Sequence, residues 1–73
     1  MKTRLREVRV AQGLSTPEVA RLSNTFSPLV YRLEAGREKA GPTVRGRLAA
    51  ALGLPETALF DSAGWPLQAE VEP

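Results

Sequence analysis

Seventy-three residues suffice for one small domain, near the size at which a single core only just stabilises a fold. The chain has no cysteine and no histidine, which excludes disulfide staples, thiolate chemistry, the common zinc sites and any histidine acid or base. Charge is unevenly placed: residues 1–47 hold all ten Lys and Arg beside four acids, a net +6, whereas residues 48–73 hold four acids and no base, a net −4. That gradient suits a side that faces a polyanion and a side turned away from it, although a solvated surface with an accidental gradient explains it equally well.

The first helix is predicted over residues 3–12. Thr3 caps it, Leu5, Val8 and Gln12 follow a three-to-four spacing, and Gly13 stops it. Ser15-Thr16-Pro17-Glu18 is an S-x-x-E capping box, with Pro17 in the first turn where a missing N–H is harmless. The helix it opens, about residues 16–23, buries Val19, Ala20 and part of Leu22. Ser23-Asn24-Thr25 then makes a short polar turn, in which Asn tolerates positive φ.

Ser27-Pro28 repeats the start signal, a capping hydroxyl followed by a pre-set φ, for a third helix over about 28–35 that Gly36 closes. At 100° per residue Val30, Leu33 and Glu34 share one side, with Phe26 as a further inward anchor; Pro28, Tyr31, Arg32 and Ala35 share the opposite, outward face. Residues 37–42 form a loop ending in a Gly-Pro breaker. Thr43 caps a fourth helix whose Val44, Leu48, Ala51 and Leu52 step along one face to Gly53, with the interior Gly46 costing about 1 kcal/mol against Ala. Residues 54–60 read as a final short helix with Pro55 at its start.

The expected core is Leu5, Val8, Leu14, Val19, Ala20, Phe26, Val30, Leu33, Val44, Leu48, Leu52, Leu54, Leu59 and Phe60. Five short helices and no strand make the fold class all-α, with one domain over residues 1–60. Residues 61–73 form an acidic, proline-containing tail, irregular and either partly docked or disordered. Within it, Trp65 and Leu67 argue for packing, either back onto the fourth and fifth helices or at a dimer contact.

No nucleophile–base pair, phosphate loop or metal spacing can be assembled, and helical ion pairing accounts for Glu34 and Glu38. No enzyme activity, cofactor or small-molecule substrate is therefore expected. The longest apolar run falls far short of a membrane span, and MKTRLREVRV lacks the apolar stretch of a secretory signal, so a cytoplasmic protein is the expectation.

Two short helices around a tight turn, from Gly13 to Gly36, carry a family resemblance. With Leu5, Arg6, Val8 and Arg9 ahead of them, the matching residues are Gly13-Leu14-Ser15, Glu18-Val19-Ala20, Val30, Arg32-Leu33-Glu34 and Gly36-Arg37. Leu48, Ala49, Ala51-Leu52-Gly53 and Leu59-Phe60 continue the match. Over roughly residues 3 to 60 the chain resembles the phage-repressor and Cro-like (XRE) helix-turn-helix DNA-binding family. Asn24 and Thr25 stand where that family has Gly and an aliphatic residue, and Phe26 supplies the anchor one residue late, which leaves the start of helix 3 open by a residue.

The resemblance implies a small transcriptional regulator, a repressor, that binds double-stranded DNA as a homodimer with helix 3 in the major groove. It implies a structural ion pair between Arg9 and Glu34. It puts Ser27, Pro28 and Arg32 at base-reading positions, Tyr31 against sugar or a thymine methyl, Thr16 at a contact from the start of helix 2, and Arg37 and Lys39 on phosphate. An alternative stays open: a protein-interaction module on the same scaffold, antitoxin-like or anti-repressor, using Leu29, Tyr31 or Trp65 as apolar anchors. Leu29 is read first as a flank of the core.

Overall fold

Thr3 opens the first helix from an extended backbone, its hydroxyl accepting the Arg6 N–H at 3.2 Å, and α1 runs Arg4–Ala11. The computed structural model describes residues 2–69. After α1 come α2 (Thr16–Leu22), α3 (Ser27–Glu34), α4 (Pro42–Leu52) and one 3-10 turn at Glu56–Ala58. Among the described residues the only strand-like pairings are two isolated bridges, Thr3 with Gln68 and Phe60 with Pro66. The class is all-α, as expected. The fifth helix shortens to a single 3-10 turn, because Leu59 and Phe60 leave it immediately to enter the core.

Two predicted caps move. Ser27 does not cap α3: Phe26, extended at φ −137°, is the residue before the helix and supplies no side-chain cap, while Ser27 and Pro28 occupy the first turn. Thr43 does not cap α4 either. Gly41 precedes that helix and Pro42 begins it. In both cases proline claims a first-turn position, where its fixed φ fits and its missing N–H would have no partner, and the hydroxyl beside it lands inside the helix.

The core joins Leu5, Val19, Ala20, Val30, Leu33, Leu48, Leu52, Leu59 and Phe60, with Val8, Leu14, Val44 and Leu54 packed against it, half-buried. Phe26 is a correction. It is 56% exposed, and Leu29 takes the inward position instead. Leu22, expected to be part-buried, is 48% exposed. α2 packs against α3 and α4, and α1 against α3. Gln12, at the end of α1, donates from Nε2 to the Leu52 carbonyl at 2.8 Å and ties α1 to the end of α4.

The tail folds back along the molecule through residue 69. Asp61 makes a local turn, its Oδ1 accepting the N–H groups of Ala63 and Trp65 at 2.9 Å each. The strap then pairs with the body: Leu67 N–H donates to the Leu59 carbonyl, Arg4 N–H to the Leu67 carbonyl and Ala69 N–H to the Lys2 carbonyl, at 2.8–3.0 Å. Pro66 and Ala69 are buried. Trp65 remains 43% exposed, and the expectation of irregular structure over residues 70–73 lies outside the described residues.

Candidate nucleic-acid interface

The turn between α2 and α3 sets the angle at which α3 is presented. Asn24 adopts φ 55°, a left-handed conformation that a short polar side chain tolerates. Ser23 is buried and donates its hydroxyl to the Val19 carbonyl at 2.7 Å, while its oxygen lies 2.8 Å from Thr25 Oγ1. Thr25 N–H donates to the Ala20 carbonyl at 2.8 Å. The turn thus has its own hydrogen-bond framework, and Leu29, Val30 and Leu33 anchor the following helix in the core. The face left over is Pro28, Tyr31, Arg32 and Ala35, all exposed, with Tyr31 at 59%.

From behind, α3 is held by charge. Arg9 on α1 donates from Nε to Glu34 Oε2 at 2.6 Å and from Nη2 to Glu34 Oε1 at 3.1 Å; its Nη1 reaches the Leu14 carbonyl at 2.8 Å. The fork matches the carboxylate at two points, which fixes direction as well as distance. The hydrogen bond to Glu34 raises the pKa of Arg9 against the opposing effect of burial. Buried Thr3 adds a second tie, donating its hydroxyl to the Glu34 carbonyl at 3.0 Å.

Between α1, the start of α2 and the outer edge of α3 lies an open groove of about 550 Å³, lined by Arg6, Arg9, Ser15, Thr16, Pro17, Tyr31, Glu34 and Ala35. The capping box stands at one wall: Glu18 N–H donates to Ser15 Oγ at 3.2 Å, and Ser15 N–H donates to Glu18 Oε1 at 2.8 Å. The Ser15 backbone amide, followed by its hydroxyl, holds the Glu18 carboxyl below the usual carboxylate range.

The expected contact residues are only partly brought together. Tyr31, Pro28 and Arg32 share one exposed face, and Ser27 is half-exposed beside them. Thr16 is 5% exposed, so its side chain is turned into the fold and the start of α2 offers Ser15 and Pro17 instead. Arg37 and Lys39 are exposed on the loop after α3.

Two residues were missed. Arg6 is exposed and lines the groove, but nothing in a helical pattern marks it out from the other arginines of α1. Glu38 was read as a helical partner; it lies beyond the end of α3 and accepts from Arg32 Nε at 2.7 Å across six residues. No i,i+4 rule finds a pair that spans the turn at Gly36. Among the described residues no cluster of acids could hold a metal ion, and no helix is long and apolar enough to cross a membrane.

A family model described as a helix-turn-helix domain matches residues 3–60. The chain belongs to the Cro-like helix-turn-helix family. A solved structure, the restriction-modification controller protein C.AhdI from Aeromonas hydrophila, shares 37% sequence identity with it and superposes at a TM-score of 0.74, covering 78% of this chain and 86% of that one. No curated protein matches in sequence. This helix-turn-helix protein is accordingly a DNA-binding transcription regulator, of a family that is typically non-enzymatic. In its frame α2 and α3 are the helix pair, and Asn24 is the residue that makes the turn between them.

Proposed function

We propose that the protein binds specific double-stranded DNA sequences as a small repressor in the cytoplasm, with α3 in the major groove. The observation that carries this is the division of α3: Leu29, Val30, Leu33 and Glu34 are buried, and Pro28, Tyr31, Arg32 and Ala35 are open. A major groove admits one helix, and a helix whose whole inner side is clamped offers a rigid reading head. Arg32 is the base reader, since a guanidinium pairs with both acceptors of guanine, and Tyr31 lies against sugar or a thymine methyl. Ser27 stands at a base-reading position beside them, and the Arg37–Lys39 loop meets phosphate. Thr16 acts through its backbone, because its side chain is buried.

One reading head contacts few base pairs, so a homodimer on an inverted repeat, with half-sites about 34 Å apart, supplies the missing specificity. Trp65, 43% exposed, is the candidate dimer contact. Occupying a site is enough to repress, and the likeness to a restriction-modification controller supports a regulator of this kind.

The test is a fluorescence titration of duplexes selected from a random pool. Arg32→Ala should relax the preference at one base pair by about tenfold or more, whereas Arg37→Ala should weaken all duplexes alike and flatten the salt dependence by about one unit of slope. If neither change moves duplex binding, α3 is not the reading helix. One observation favours the alternative of a protein-interaction module: Phe26 and Leu22 stand exposed at 56% and 48% beside the turn. That module would show little of the steeply salt-sensitive binding to random duplex that a DNA-binding protein shows.

A further inference from the structure

Glu38 stands where a DNA-binding surface should not carry an acid. Its carboxylate accepts from Arg32 Nε at 2.7 Å, with the two side chains 46% (Arg32) and 39% (Glu38) exposed. A negative charge beside the reading face is repelled by phosphate, so it weakens binding to every duplex equally unless it does something for one of them. The geometry says what. Glu38 Oε1 takes only the Nε proton, and among the described residues neither Nη group of Arg32 has a hydrogen-bond partner. Those two nitrogens are the end-on fork that matches O6 and N7 of guanine. An arginine side chain is otherwise among the most rotamer-rich, and ordering it on binding subtracts from affinity for the right base.

We infer that Glu38 is a positioning residue that sets specificity: it holds Arg32 by Nε and aims the free Nη pair at a guanine. This rests on the reading of α3 as the groove helix. A latch that blocks Arg32 would need to occupy the fork, and Glu38 leaves it open. The exposed pair contributes little to folding, so its loss should not unfold the protein.

The experiment measures discrimination, the ratio of Kd values for the best selected duplex and for the same duplex with one base pair exchanged, alongside Kd for random duplex. It compares the wild type with Arg32→Ala, Glu38→Ala, Glu38→Gln and the Arg32→Ala/Glu38→Ala double variant. Glu38→Ala should lower discrimination about three- to tenfold, at the same base pair that Arg32→Ala affects and at no other. Random duplex should be bound at least as tightly as by the wild type, because one repelling charge is gone. Glu38→Gln keeps an acceptor for Nε and should retain more discrimination than Glu38→Ala, with the same effect on random duplex. Once Arg32 is absent, Glu38→Ala should change discrimination no further.

If Glu38→Ala leaves discrimination intact, or weakens specific and random duplexes alike, the inference is overturned while the reading of α3 stands. If Arg32→Ala itself has no effect confined to one base pair, Arg32 is not a base reader and the inference falls; if Arg37→Ala also leaves duplex binding unmoved, the reading of α3 falls with it.

Discussion

At the scale of single residues, the pair that decides most is Arg9 with Glu34. Its side chains are 13% and 5% exposed, and both carboxylate oxygens are engaged by the guanidinium. Neither partner can leave alone without stranding the other's charge away from water. Glu34→Leu or Arg9→Met should each cost about 3–5 kcal/mol. In a domain of this length, whose total stability is on the order of 4–11 kcal/mol, that is a large share. The double change Arg9→Met with Glu34→Leu should recover most of the loss, since apolar groups of similar volume need no solvation. Urea unfolding of the four proteins gives the answer through the midpoint at unchanged slope. Additive losses in the double variant would show that the pair is not the reason either residue is held.

At the scale of elements, the start of α2 predicts a pH effect. The folded Glu18 carboxyl titrates below its ordinary value because the Ser15 backbone amide and hydroxyl favour the charged form. The stabilisation is therefore complete above the unfolded value of about 4.3, and is lost as pH falls through the lower folded value. Glu18→Gln should remove that component of the acid sensitivity and leave stability above pH 6 only slightly lower; identical pH profiles for the two proteins would contradict it. This element was also the most legible in the sequence, because a capping box is read from four consecutive residues and rests on no distant contact. The Ser27 and Thr43 hydroxyls misled for the converse reason. A hydroxyl beside proline looks like a cap from either side, and only the chain's direction into the body decides which residue precedes the helix. At α3 that direction follows from Asn24 and Thr25, which complete the turn and leave Phe26 extended and outside the core. The face of α3 was legible from periodicity alone. The Glu38 contact and the burial of Thr16 were not, since both depend on how neighbouring elements close over it.

At the scale of the whole molecule, the strap after Phe60 makes the helix bundle and the loop beyond α3 one unit. Ala40, buried at the base of the loop that carries Arg37 and Lys39, donates its N–H to the Gly64 carbonyl at 2.9 Å. Further along, the same strap pairs with Lys2 and Arg4 at the start of α1, whose Thr3 is bonded to the last residue of α3. The C-terminal end of α3 and the loop after it are thus tied by contacts far apart in the chain, which composition alone does not reveal. Gly64 is the weak point of the arrangement. Its φ of +96° is one that side chains rarely adopt, and a Cβ there would lie 2.3 Å from the Ala40 carbonyl oxygen, a backbone atom that cannot swing aside. Gly64→Ala should therefore cost about 1–3 kcal/mol from conformational strain, with the collision adding to it. For a domain of this size each kcal/mol lowers Tm by roughly 4–8 °C. The strap should part from the loop before the core opens, so amide exchange at Ala40 should accelerate more than exchange at Leu48 or Leu52. Equal acceleration at all three would mean that strap, loop and core open only together, and an unchanged Tm would mean that the strap constrains nothing.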